Sequence, residues 1–188
     1  MKGYKALNMD MSSAYNGIAY EIGKKYTITG KLEMYRNGFD FCKYLEDSEL
    51  NHMIAKSRIF EVEAEGEIID ERNKFRAESI TLIRELSKEE IHQYFADNQE
   101  SLLQKFWYCK KALADQELCL DKLIYDKDPD VRAAVARRGY GLHILIHDKD
   151  PLVRMVVAEQ CYRLDTLVDD ENQYVRDVAR RNQLKALQ

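Results

Sequence analysis

Two histidines, His143 and His147, stand four residues apart, a spacing that on a helix puts both imidazoles on one side, where they could hold one metal ion. No glutamate follows His143 in the H-E-x-x-H manner. Its counterparts 22 residues away are Asp121 and Asp165, so a surface column of polar residues explains the pair better. The four cysteines, Cys42, Cys109, Cys119 and Cys161, lie far apart with no C-x-x-C pair, and they read as small buried hydrophobes of a reducing compartment. Three arginines, Arg132, Arg154 and Arg176, recur beside Asp126, Asp148 and Asp170. As a basic stripe they could take phosphates; as a ladder each would bond acceptors of the adjacent turn or repeat, which is the favoured reading. There is no G-x-S-x-G elbow, no Walker lysine loop and no G-x-G-x-x-G. The expectation is no catalytic residue, no metal and no cofactor.

The elements that place those arginines repeat. Leu120–Gly141, Leu142–Arg163 and Leu164–Lys185 align without gaps at a period of 22 residues, and self-similarity at such a period marks a stacked array. Asp128 and Asp150 precede Pro129 and Pro151, an N-cap acceptor followed by proline at the first helical position; the third copy keeps a cap in Asn172. Behind each cap, Val131/Ala134/Val135, Val153/Val156/Val157 and Val175/Val178/Ala179 follow i, i+3, i+4 spacing, one buried helix face. Gly139 suits a helix stop. The preceding L-x-x-L-[IV] pieces predict a shorter helical turn, and stacking supplies the core that one unit lacks.

The pattern L-x-x-L-x-x-D-x-D-P-x-V-R-x-x-V-A over residues 120–185 resembles the leucine-rich-repeat-variant and HEAT-like repeat families. The resemblance implies a superhelix of paired helices that binds proteins, and sometimes nucleic acid, on an extended surface. The iron–sulfur segment of some such proteins has no counterpart here. Constant columns serve stacking, so recognition is expected in the varying ones: Arg137/Glu159/Arg181, Ala133/Met155/Asp177 and Tyr125/His147/Asp169. The alternating sign of the first suits pairing between neighbouring repeats.

Residues 1–86 read as α+β on an antiparallel sheet. Tyr4–Leu7, Gly17–Tyr20, Lys25–Ile28, Arg58–Ile69 and Phe75–Leu86 are strand-like, and Phe41–Ala55 looks helical. Tyr4-Lys5-Ala6-Leu7, Asn37-Gly38-Phe39-Asp40-Phe41-Cys42 and the glutamate-rich run from Phe60 to Ile69 resemble an uncharacterised domain common in phages and Firmicutes, which often precedes repeats of this kind. Members typically show G-F-H-F-C where this chain has Asp40. The order of features also resembles ADP-ribosyltransferases, which implies Lys5 with Glu61, Glu63 or Glu65 at an NAD site; alternating glutamates on a strand are more often its solvated face.

Residues 87–119 connect the two parts. Ser87-Lys88-Glu89-Glu90 is a capping-box pattern opening a helix, and a second helix is expected around Leu102–Ala114. Its Phe106, Trp107 and Tyr108 are expected to plug the open end of the first repeat rather than to bind a partner. Net charge is −4, with 12 basic and 12 acidic residues in 120–188, so no basic excess marks a general nucleic-acid binder. No apolar run of membrane-spanning length occurs, and the start, Met1-Lys2-Gly3-Tyr4-Lys5, lacks the apolar stretch of a signal peptide, so a cytoplasmic protein is expected. The sum is an α+β domain (1–86), a helical connector (87–119) and an all-α HEAT-like solenoid of three repeats (120–188). The expected role is a non-enzymatic interaction module, of phage or mobile-element origin, that binds a host or defence protein. A nucleic-acid binder, an ADP-ribosyltransferase-like enzyme and self-association through the last repeat are the alternatives.

Overall fold

In the computed structural model, residues 1–13, 17–47, 57–71 and 74–186 are described. The chain divides into two compact units, Met1–Asp97 and Asn98–Gln188.

The first unit is an antiparallel sheet of five strands: β1 (Lys2–Leu7), β2 (Lys25–Thr27), β3 (Phe39–Phe41), β4 (Arg58–Glu71) and β5 (Lys74–Glu85). β1 pairs β4, β4 pairs β5, and the far edge of β5 carries β3 at Phe75–Ala77 and β2 at Ser79–Thr81. The predicted alternation in β4 holds: Phe60, Val62 and Ala64 are buried in one core with Leu7, Ile80 and Leu82, while Glu63 and Glu65 are exposed on the opposite face. A bulge between Glu65 and Ile68 adds one residue to β4; Gly66, at φ +79°, takes the left-handed turn, and Glu67 N–H donates to the Glu78 carboxylate at 2.9 Å.

Two elements differ from expectation. Gly17–Tyr20 forms no strand; its one ladder contact is the Ser12–Ala19 bridge, within turns closed by Ser13 N–H on Ile18 O. Of the helix expected over Phe41–Ala55, Phe41 ends β3, Cys42 bridges Tyr4 and 43–47 are bends and turns; 48–55 lie outside the described residues.

Helix α1 (Lys88–Leu102) opens on the capping box. Ser87 N–H donates to Glu90 Oε2 at 2.8 Å, and Glu90 N–H donates to Ser87 Oγ at 3.1 Å. In the second unit, α2 (Trp107–Asp115) is followed three times by a four-residue helix and a longer one: α3 (Leu120–Leu123) and α4 (Pro129–Arg137), α5 (Leu142–Leu145) and α6 (Pro151–Glu159), α7 (Leu164–Leu167) and α8 (Gln173–Lys185). α2 thus begins at Trp107, not Leu102, because Leu102–Lys105 turn between the helices. Asp128 and Asp150 accept from the N–H two residues on, at 3.0 and 2.9 Å, and Asn172 accepts from Tyr174 N–H at 2.9 Å.

α2, α4 and α6 are each followed by two left-handed residues: Glu117, Gly139 and Cys161 at φ 61°, 72° and 57°, then Cys119, Gly141 and Arg163 at 55°, 61° and 47°. At Gly141 a Cβ would also sit 2.1 Å from Ile124 Cδ1. Among the described residues no helix is long and apolar enough to cross a membrane. Asp150→Ala, which removes one cap and leaves the Leu152 N–H unpaired, is expected to cost about 1 kcal/mol. Asp150→Asn should be near neutral; urea midpoints at an unchanged m-value check both.

Candidate functional site

Two of the three recurring arginines, Arg132 and Arg154, are consumed inside the second unit. Arg132 grips Asp148 with Nε at 2.6 Å and Nη2 at 2.8 Å, while Nη1 donates to the carbonyls of Asp126 and Lys127 at 2.7 and 3.1 Å. Arg154 repeats the grip on Asp170 at 2.7 and 2.9 Å, with Nη1 on Asp148 O at 2.8 Å. The four side chains are only 6–8% exposed. Each aspartate also accepts the N–H of a cap, Asp148 from Asp150 and Asp170 from Asn172, both at 2.8 Å. Burial pushes the carboxyls of Asp148 and Asp170 up, but the guanidinium forks, the cap N–H bonds and nearby cations outweigh it, so both lie below the usual aspartate range. Buried, paired guanidinia cannot line a phosphate stripe.

Asp126, the first aspartate of the series, has no arginine before it. Lys110 Nζ on α2 donates to it at 2.7 Å, and Lys110 stands 22 residues before Arg132. At the same offset Cys109, Ala112, Leu113 and Ala114 are buried like Val131, Ala134, Val135 and Ala136 of α4. The spacing therefore begins one unit earlier than the sequence motif. Leucine, aspartate, proline and arginine have all been replaced there, and only the lysine and the apolar offsets could have revealed it.

The expected aromatic plug is not made. Phe106 and Trp107 are 69% and 39% exposed, Phe106 stacks on Tyr108, and the buried side chains of α2 are the small and aliphatic ones instead. The varying columns lie largely outward. Arg137, Glu159 and Arg181 are exposed, as are Tyr125, His147 and Asp169; of the third column Ala133 is buried, Met155 half-buried and Asp177 exposed. The expected pairing along the first column is also not made: among the described residues none of Arg137, Glu159 and Arg181 has an ion-pair partner, whereas the adjacent Arg138 reaches Asp115 at 3.4 Å. His143 and His147 are both exposed, and among the described residues no group of histidine, cysteine and carboxylates could hold a metal.

In the first unit Lys5 and the glutamates of β4 do not converge. Lys5 faces Phe60 across the ladder and is buried on the core side, its Nζ donating to Asp40 O at 2.6 Å, while Glu61 faces Tyr4 on the other side. Asp40 accepts Arg76 Nε at 2.7 Å, so Lys5, Asp40 and Arg76 form one node. On the opposite face Tyr94 of α1 donates to Glu46 and meets Tyr4 edge-on at 6.3 Å. Burial, then the Glu46 carboxylate, push the Tyr94 hydroxyl far above the ordinary tyrosine range. A cavity of about 200 Å³ beside Tyr4, Lys43 and Glu61 is smaller than the sites that enclose small molecules.

The segments Lys2–Leu7, Gly38–Cys42 and Arg58–Ile69 are thus knit into one sheet, and a family model described as a domain of unknown function, DUF7666, matches residues 1–94. The chain belongs to this family. No curated protein and no solved structure matches the chain. The DUF7666 match ends at Tyr94, the residue of α1 that closes on Glu46.

Proposed function

We propose that residues 98–188 are a short HEAT-like solenoid, three repeats over 120–185 behind a degenerate first unit, serving a DUF7666 protein as a non-enzymatic protein-interaction module. One observation carries this reading: the constant columns are spent on stacking and capping, and the varying charged column Arg137/Glu159/Arg181 is exposed without ion-pair partners among the described residues. Fixed inner chemistry with a variable outer face is how stacked arrays present a binding surface. The resemblance of residues 1–86 to a domain common in phages makes a host or defence protein the first partner class to test.

The test is quantitative affinity capture by the full chain and by a triple variant, Arg137→Glu, Glu159→Arg and Arg181→Glu. These sites are exposed, so the variant should keep its urea midpoint. A partner held by the wild-type chain should be reduced at least tenfold on the variant. Equal retention on both would overturn this reading. A nucleic-acid reading would fall on Arg138, Arg163, Arg176 and Arg180, since Arg132 and Arg154 are buried in ion pairs. A salt-sensitive shift of duplex DNA would favour it.

A further inference from the structure

The arginine ladder has an open rung. Arg176 is seated as Arg132 and Arg154 are, its Nη1 donating to Asp170 O at 2.6 Å and to Glu171 O at 2.9 Å. The edge formed by Nε and Nη2, which in Arg132 and Arg154 grips the aspartate of the following unit, meets no acceptor among the described residues. The guanidinium is half-buried and already oriented, so most of the ordering cost of a bidentate contact has been met.

The surroundings are polar. Where α4 and α6 carry buried Ala136 and Ala158, α8 carries exposed Arg180, and where they carry Ala133 and Met155, it carries exposed Asp177. With Arg176, Arg180, Arg181 and Lys185 against Asp177, this helix has a basic excess, while residues 120–188 as a whole hold 12 basic and 12 acidic residues. An apolar partner is therefore a poor fit and an anionic one a good fit.

We propose that Arg176, at the carboxy-terminal face of the second unit, is a docking point for an acidic protein segment that presents an aspartate in a turn of the D-x-[DN] type. The chain itself shows the ligand twice: Asp148 and Asp170 each offer both carboxylate oxygens to an arginine while Oδ1 also accepts the N–H two residues on. A phosphate would match the fork in charge, but both filled rungs hold carboxylates. This assignment rests on the interaction-module reading and adds the chemistry of one partner.

The test uses the full chain labelled with ¹⁵N-arginine and a peptide of its own residues 144–152, which contains Asp148 and Asp150, beside the same peptide with Asp148→Asn. The Arg176 Nε–H signal should shift saturably with the first peptide and bind the second at least tenfold more weakly, while the signals of Arg132 and Arg154 stay in place. Arg176→Lys, which keeps the charge and loses the fork, should weaken binding of the first peptide at least tenfold by titration calorimetry; should that variant not fold, the peptide pair on the wild-type chain decides. Three results would overturn the proposal: equal response to the two peptides, an Arg176 Nε–H as protected from solvent in the free protein as that of Arg132, or tighter binding of duplex DNA than of the aspartate peptide at this signal. Failure here, with capture through Arg137, Glu159 and Arg181 intact, would leave the interaction-module reading standing.

Discussion

Asp148→Ala should destabilise the second unit by about 3–5 kcal/mol, because it strands the Arg132 guanidinium in a site where only 6% of that side chain is exposed. Two charge-assisted bonds and the N–H of the Asp150 cap lose their acceptor together. Asp148→Asn should cost less, since its carbonyl oxygen can still accept from the cap or from one guanidinium hydrogen. Replacing both partners, Arg132→Met with Asp148→Leu, should recover much of the loss, because a buried ion pair and an apolar pair of similar volume are close in stability. The protein has one tryptophan, Trp107, and it lies in this unit, so its fluorescence during urea unfolding follows the relevant transition. The pH dependence has a definite sign. The folded Asp148 carboxyl titrates below its unfolded value, so its stabilisation is complete above about pH 4 and is lost as the pH falls through the lower folded value. Asp148→Ala should therefore flatten the acid limb of the stability curve. A cost under 1 kcal/mol, or an unchanged acid limb, would show that the ladder does not hold these helices together.

How much of this was legible depended on whether the chemistry is local. The capping box at Ser87–Glu90 and the caps at Asp128, Asp150 and Asn172 are written within four residues and formed where expected. The ladder was half visible. Arg132 does bond the backbone of Asp126, six residues back, but its carboxylate partner lies 16 residues ahead, a pairing only the stacking of successive helices creates. The unit around α2 was missed because the leucines, aspartates, proline and arginine of the motif are replaced there while the burial offsets are kept: Lys110 keeps the charge and Cys109 and Leu113 keep the apolar face. β3 was hidden for another reason. Three residues with Phe39 and Phe41 buried around Asp40 give too short a period-two signal to outweigh a helical reading that starts at Phe41. The outward face of Phe106 and Trp107 was misjudged because hydrophobicity alone suggested a plug, whereas the small residues Cys109, Ala112 and Ala114 allow closer helix packing.

Asp40 carries the second large effect, in the first unit. Its carboxylate holds Arg76, whose side chain is 8% exposed, with contacts at 2.7 and 2.5 Å, and its carbonyl takes Lys5, itself buried. Gly38 makes room for this arrangement: a Cβ there would stand 2.4 Å from Arg76 Cγ, and its φ of +137° is one that other residues rarely adopt. Asp40→Ala removes the anion and leaves Arg76 with the Glu33 carbonyl at 3.3 Å, so the expected loss is again about 3–5 kcal/mol, read from tyrosine near-UV circular dichroism during urea unfolding. Asp40→His is the sharper substitution, since it exchanges the anion beside Arg76 for a group that can itself carry a positive charge. Beside Arg76 an imidazolium is disfavoured, so the folded pKa of the new histidine should fall below about 6.5, and the variant should lose further stability as the pH drops through that range. Pairing Asp40→His with Arg76→Gln should then restore stability at low pH, because it removes the opposing cation. If Asp40→His alone matches the wild-type chain at every pH, Arg76 has found another anion and Asp40 is not the centre of the node. If it fails and the pair recovers, the carboxylate of Asp40 is the counter-charge that lets Arg76 stay buried in this domain.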